Sequence, residues 1–573
     1  MEQSKANHKL IIYQLLPRLF GNTKDANKLN GAIEENGSGK FNDINDVALL
    51  EIGKMGFTHI WYTGVIEHAT MTDYSQFGIK SDDPDVVKGR AGSPYAIKDY
   101  YDVAPDLAVD VKQRMQEFEA LIARTHNHGM KVIIDLVPNH VARTYASDVK
   151  PAGVNDIGEN DDTNIAFSAK NDFYYIPGQP FVVPSGYNPG GDELISPLKD
   201  GRFDEYPAKA TGNDVFSPSP SINDWFETVK LNYGIDYLSG RTPHFEPVPP
   251  LWNKMLDILG FWSVKGVDGF RCDMVEMVPI EFWGWVIPKI KAAFPGLVFI
   301  GEAYNVGLYG KYLFNGKFDY LYDKVGLYDS IKRLTRNEYQ ASTWDINSVW
   351  NNDCRGIDQH MLRFMENHDE ERIASHYFAG DPWLAVPGMI VTATLSTGPV
   401  MVYFGQETGE PATGANGFSG DDGRTTIFDY WGVPEHQKWV NGGKFDGARL
   451  SESQAKLRQF YGTLLNVVKN NEALASGNFY ELMLANEHQS GFDQRLYIFL
   501  RYTDKQRILV VTNFSRSERS VSVKLSNDLL ERFNLTGSVM FTDLLSGVSF
   551  NTNNISEGVP LMLRASSGLL LQF

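Results

Sequence analysis

Only two cysteines, Cys272 and Cys354, occur among 573 residues, so disulfides do not hold this chain together. Cys272 adjoins Asp273 in a strand and is expected to face the opposite way, towards packing. Basic residues are in deficit: 53 Lys and Arg against 71 Asp and Glu leave a net charge of -18. That excludes nucleic acid and anionic membranes as partners, since phosphate binding needs a basic surface, and it suits a neutral ligand. No apolar run is long enough to span a bilayer. The start, Met1-Glu2-Gln3-Ser4-Lys5, lacks the apolar region of a secretory signal. The chain therefore reads as soluble, either cytoplasmic or exported with a signal already removed. Internal repeats and low-complexity tracts are also missing.

Aromatic residues are plentiful at 13%, which suits stacking against flat ligand faces as well as packing. The length exceeds a single hydrophobic core. Leu10–Leu16 is a compact apolar run. A helix is expected from Asn42-Asp43, with Asp43 as its cap and Ile44, Val47 and Leu50 on one face. Thr58–Thr63 reads as a second strand, a helix from about Asp110 carries Met115, Phe118 and Ile122 and stops at Gly129, and Lys131–Val137 reads as a third. Further strands are expected at Val267–Asp273, Leu297–Ala303, Phe318–Tyr322, Arg363–Glu366 and Val400–Phe404. Eight near-continuous apolar strands alternating with helices point to a (β/α)₈ TIM barrel. An open doubly wound sheet is the alternative, but no Gly-rich dinucleotide loop follows the first strand.

Two stretches break the alternation. The segment 140–230 is rich in Asn, Asp, Gly and Pro and reads as an irregular inserted domain B after the third strand. Beyond a helix from about Ser451 to Val468, short strands between turn residues indicate a C-terminal antiparallel β-sandwich over 471–573. The barrel would then comprise 1–139 and 231–470.

Residues at the C-terminal ends of barrel strands converge on one rim. The third strand ends in Asp135-Leu-Val-Pro-Asn-His140 and the fourth in Arg271-Cys-Asp273. The fifth ends in Gly301-Glu302, and the seventh supplies Glu366-Asn-His368-Asp369. Arg271 and Asp273, two apart in a strand, share a face. The guanidinium is expected to keep Asp273 ionised, while neighbouring negative charges keep Glu302 protonated. Two carboxyls with opposed protonation across a scissile bond are the parts of a retaining glycosidase. Asp369 adds a charge to stabilise a developing cation, and His140 and His368 offer hydrogen bonds to hydroxyls. A metal site is the other reading of such a cluster, although no His-x-x-x-His spacing is present.

Four stretches, Asp135-Leu-Val-Pro-Asn-His, Gly269-Phe-Arg-Cys-Asp, Gly301-Glu-Ala-Tyr and Glu366-Asn-His-Asp, resemble in order the signature regions of glycoside hydrolase family 13, the α-amylase family. Gly398–Glu407 is similar to its eighth-strand motif, and Gly92–Tyr100 to the loop that supplies a stacking tyrosine. The resemblance implies an α-glucan or malto-oligosaccharide substrate. It makes Asp273 the nucleophile, Glu302 the general acid/base and Asp369 the transition-state stabiliser. Arg271 would orient Asp273, His140 and His368 would hold sugar hydroxyls, and Tyr95 would stack under the sugar. No cofactor is required for this chemistry. The resemblance also implies a structural calcium, with Asn139 as a ligand beside an Asp of the insertion and a carbonyl near Met277; the plain reading of Asn139 is a turn cap.

The match departs in places. Many α-amylases carry Lys-His where this chain has Glu276 and Met277, which leaves room for a shorter or differently linked α-glucan. Ser93 stands where many have a sugar-binding His. The Glu35–Gly39 loop is similar to a second metal loop, but Lys40 favours an ordinary turn. Tyr174 and Tyr187 of the insertion serve as sugar platforms or as packing. A transglycosylase with the same catalytic set, and a non-catalytic glucan-binding homologue, are the alternatives in function.

Overall fold

A computed structural model describes residues 9–414, 417 and 420–573; the Met1–Lys5 stretch considered above lies outside them. Eight parallel strands form one sheet: β1 (Ile11–Leu15), β2 (His59–Tyr62), β3 (Lys131–Leu136), β4 (Gly269–Cys272), β5 (Val298–Gly301), β6 (Tyr320–Tyr322), β7 (Met361–Leu362) and β8 (Val400–Tyr403). Their order is β7-β6-β5-β4-β3-β2-β1-β8. A parallel bridge between Arg363 and Val400 joins the two ends, with Arg363 N–H on Pro399 O at 3.0 Å and Met401 N–H on Arg363 O at 2.9 Å. The sheet is therefore a closed (β/α)₈ barrel. Nearly every strand residue is buried, as strands covered on one side by side chains and on the other by helices must be.

Two expected elements shift. The seventh strand is Met361–Leu362 with its bridge at Arg363, not Arg363–Glu366. The chain turns away after Arg363 because Glu366 leaves the sheet to accept from Arg372 Nη1 at 3.0 Å and Ile373 N–H at 2.7 Å. The helix expected from Asn42-Asp43 is Asp46–Lys54, capped by Asn45, whose side chain accepts from Ala48 N–H. It buries Ala48, Leu49 and Ile52 and leaves Val47 and Leu50 about half exposed. Asp43 instead closes a 3₁₀ turn by accepting from Lys40 N–H at 2.7 Å. An apolar triplet spaced by three fitted a helix face, but burial of the neighbouring Ala48-Leu49 pair decided which face turned inward. The Arg114–Asn127 helix buries Phe118 and Ile122 as expected.

After β3 the chain leaves the barrel through His140–Ala142 and comes back through Thr228–Lys230. These two strands pair antiparallel, with His140 opposite Lys230, so both ends of the excursion are tied at one point on the barrel rim. Between them lie mostly turns, plus one short pair, Tyr175–Ile176 with Ala208–Lys209. Tyr174 is buried and donates to Ile235 O at 2.8 Å. Tyr187 donates to Val87 O and packs its ring 4.9 Å from that of Phe226. Both are tied by their hydroxyls to chain outside the segment, Tyr174 to Ile235 and Tyr187 to Val87.

The Glu452–Asn470 helix starts at a Ser451–Gln454 capping box. Beyond it, β9 (Asn478–Glu481), β10 (Leu496–Tyr502), β11 (Arg507–Asn513), β12 (Arg519–Val523), β13 (Met540–Asp543), β14 (Ser549–Asn551), β15 (Val559–Leu563) and β16 (Ser567–Gln572) form two antiparallel sheets. One has the order β9-β10-β11-β16-β13-β14 and the other pairs β12 with β15. Pro560 sits in β15, an edge strand that pairs with β12 alone, where a missing N–H is tolerated. No helix among the described residues is long and apolar enough to cross a membrane.

Candidate active site

Arg271 is the centre of the rim. It is fully buried, and its two terminal nitrogens divide between two carboxylates: Nη1 lies 2.9 Å from Asp273 Oδ1 and Nη2 lies 2.9 Å from Glu302 Oε1. Nη1 also approaches Asp135 Oδ1 at 3.6 Å, and Nε donates to Tyr322 Oη at 3.0 Å. Strands β3, β4, β5 and β6 thus meet at one guanidinium. The fork geometry matters, because a point charge cannot serve two carboxylates and a phenol in fixed directions.

Glu302 has its own supports. Oε1 accepts from Tyr304 Oη at 2.6 Å, and Oε2 accepts from the Met274 N–H at 2.8 Å. Met274 takes φ +44, a left-handed conformation that turns this amide towards the carboxylate. Glu276 accepts from the amides of Tyr304 and Asn305 at 3.0 Å each, so it holds the loop after β5 and thereby Tyr304.

Asp369 lies on the open side of the cluster, with Oδ2 3.0 Å from His368 Nε2. His368 is buried and accepts at Nδ1 from Gln14 Nε2 at 2.8 Å, which places its proton on Nε2. That nitrogen also lies 2.5 Å from Tyr95 Oη, and Tyr95 donates onward to Asp135 Oδ1 at 3.3 Å. The Tyr95 and His368 rings stack at 5.3 Å. A cavity of about 310 Å³ opens over this assembly, lined by Tyr95, His140, Trp225, Asp273, Glu302, Tyr304 and Asp369 among others. His368 and Arg271 stand behind that wall.

Burial changes the electrostatics expected from the sequence. It pushes the Asp273 carboxyl well up, and the charge of Glu302 adds to the rise, while Arg271 opposes it. Burial thus works against the ionised form of Asp273 that its spacing from Arg271 led one to expect, and Arg271 works for it. Asp369 is pushed up to about 7, by burial first and Glu302 second. Burial also raises Asp135 to about 6. His140 is lowered to about 3 and His368 well below its usual value, again by burial, so both imidazoles are neutral donors.

A consequence for stability has a definite sign. A carboxyl whose folded pKa is raised binds more protons folded than unfolded, so its effect favours folding below the unfolded value of about 4 and is lost as pH rises. For Asp369 that loss runs up to pH about 7. Melting temperature should fall between pH 5 and pH 8, and Asp369→Asn should reduce the fall. An unchanged pH slope in the variant would refute the assignment.

Asn139 is not arranged as a turn cap. Its Oδ1 accepts from Lys230 Nζ at 2.7 Å, while its Nδ2 donates to Gly212 O at 2.8 Å and approaches Met277 Sδ at 3.7 Å. At the second loop considered for metal, Glu35 accepts from Ala32 N–H at 2.9 Å and pairs with Lys28 at 2.8 Å; Lys40 Nζ donates to Asp106 O at 2.5 Å. Among the described residues, no group of three His, Cys, Asp or Glu side chains is placed to share a metal ion.

Gln14, Asp135, Tyr304 and Tyr322 received no role from the sequence. Gln14 is the one polar side chain inside the apolar run of β1, and Tyr304 lies two residues past Glu302, so each had a faint signal. Tyr322 had none beyond standing at the end of β6.

A closed parallel barrel with carboxylates gathered around an arginine at its C-terminal rim defines a barrel glycosidase. Residues 14–477 match the family "Alpha amylase, catalytic domain", and the chain belongs to the α-amylase family of glycoside hydrolases. Relatives include Alpha-amylase 3 of Dictyoglomus thermophilum, 22% identical over 76% of this chain and 77% of that protein. The cyclomaltodextrin glucanotransferase of Geobacillus stearothermophilus is 22% identical over 96% of this chain and 64% of that one. Among solved structures, an alpha-amylase from Lactobacillus plantarum superposes with TM-score 0.61 at 18% identity, covering 99% of each chain. At that identity the likeness speaks for the fold.

Proposed function

We propose that this chain cleaves α-glucosidic bonds of malto-oligosaccharides with retention, by double displacement at Asp273 and Glu302. The observation that carries the reading is the single guanidinium of Arg271 lying 2.9 Å from a carboxylate oxygen of each, beneath a cavity of about 310 Å³. In the productive complex this mechanism has Glu302 carrying the proton and Asp273 ionised. Asp273 then attacks the anomeric carbon while Glu302 gives its proton to the departing glycosidic oxygen. The ionised Glu302 next takes a proton from water, which attacks the same carbon and releases Asp273. Asp369 faces the charge that develops at the sugar. The neutral His140 offers a hydroxyl contact, Tyr95 a platform, and His368 orients Tyr95 and Asp369 from behind.

The cavity is at the small end for ligand sites, and Glu276 is spent on the loop carrying Tyr304, away from the sugar. Short α-glucans are therefore the favoured substrates. The division into barrel, insertion at 140–230 and C-terminal sandwich from 471 belongs to this reading, as does the exclusion of nucleic acid by charge. A product profile on starch, pullulan, cyclodextrin and maltotriose tests it. Maltotriose should turn over faster than starch, and the first product should keep the α configuration. A β product would overturn the mechanism. Transfer to sugar acceptors is a second reading, favoured by relatives named for it, including the cyclomaltodextrin glucanotransferase and an alpha-1,4-glucan:maltose-1-phosphate maltosyltransferase of Cereibacter sphaeroides. Longer oligosaccharides formed on adding maltose would establish it.

A further inference from the structure

The strand pair that ties the insertion to the barrel contains a buried cation. Lys230 ends the returning strand, opposite His140, with a side chain only 2% exposed. Its Nζ lies 2.7 Å from Asn139 Oδ1 and 2.6 Å from Asp214 Oδ1, and 5.3 Å from the centre of the Tyr237 ring. Asp214 belongs to the insertion and takes φ +66, a conformation uncommon for a residue with a side chain. Asn139 is the penultimate residue of the third-strand signature, just before His140.

An asparagine oxygen from the barrel and an aspartate oxygen from the insertion are the two side-chain donors that the family resemblance assigns to calcium. Here they converge on an ammonium. Calcium takes six to eight oxygen ligands, whereas an ammonium is a donor three times over and an acceptor never. A divalent ion between Asn139 and Asp214 would have to occupy the position of Nζ and repel it. The residues present therefore do not fit calcium at this place.

We infer that Lys230 is a built-in cation that joins barrel and insertion at Asn139 and Asp214 and makes this junction independent of calcium. The same contact fixes the active site's edge. Asn139 Nδ2 lies 3.1 Å from His140 Nδ1, and His140 and Thr228 both line the cavity. An ion pair anchored on the returning strand thus steadies one wall of the sugar site with a covalently attached charge, which no chelator removes.

The test is thermal unfolding of the full chain with EDTA and, separately, with added CaCl₂. Neither addition should shift the melting temperature of the wild type. Lys230→Met, which keeps the length and removes the charge, leaves the partly exposed Asp214 without its counter-ion and Asn139 Oδ1 without its donor, and should melt lower by about 1–2 °C. A wild type that loses stability in EDTA and regains it with calcium would overturn the inference. So would a Lys230→Met protein as stable as the wild type. If Lys230→Met does not fold, Asp214→Asn takes its place: it should also melt lower, and an unchanged melting temperature would again refute the role. None of these readings depends on substrate, so they stand apart from the proposed chemistry.

Discussion

Glu302→Gln should lower kcat by roughly 10³-fold or more on malto-oligosaccharides, the range for losing a general acid/base, while KM changes little. The amide oxygen still accepts from Tyr304 Oη beside Arg271, while its nitrogen gives up only the contact that Oε2 makes with the Met274 N–H. What it loses is the proton for the glycosidic oxygen. An aryl glycoside whose leaving group needs no protonation should therefore form the glycosyl-enzyme at a rate close to wild type and stall at its hydrolysis, visible as a burst of released phenol. Equal loss on both substrates, or loss of oligosaccharide affinity together with turnover, would mean that Glu302 is structural.

Arg271→Met should be the most damaging single change. It leaves Asp135, Asp273 and Glu302 facing one another in a buried site, and breaking a buried ion pair from one side costs about 3–5 kcal/mol. Turnover should disappear too, because an unopposed Asp273 is pushed further towards its protonated form and stops being a nucleophile. The deficit depends on pH with a sign opposite to simple acid damage. At pH 5 the freed carboxyls hold protons and the penalty is small; at pH 8 folding must keep them charged or take up protons, and the penalty is larger. Melting curves at the two values read this directly. Arg271→Lys should rescue only part, since an ammonium cannot reach two carboxylates and Tyr322 at once. A Met variant as stable and active as the wild type would remove Arg271 from its central place.

The site was legible to different depths. Asp273 and Glu302 stand where apolar strands stop, so periodicity pointed to them before any packing was known, whereas Asp369 lies six residues beyond the Arg363 bridge and was marked by its motif. Their protonation was not legible. Spacing placed Arg271 beside Asp273, but only the structure shows that Arg271 divides itself with Glu302 and that burial acts against it. His368 illustrates the same limit: its motif announced a polar contact, and the stack on Tyr95 with Gln14 behind it was decided by β1 and by the loop before Tyr100, far away in the chain.

What the sequence determined by itself is local: eight apolar runs with period and length suited to buried parallel strands, a helix starting near Ser451, and a polar residue set at the runs' ends. These are properties of neighbouring residues and need no partner. The tertiary structure decided which distant groups share a charge. Lys230 meets Asn139 and Asp214 only because the returning strand pairs with His140–Ala142, and Arg271 meets four strands only because the barrel closes. Electrostatics inside a protein depends on burial and on distances across the fold, and neither is set until the strands have found their register.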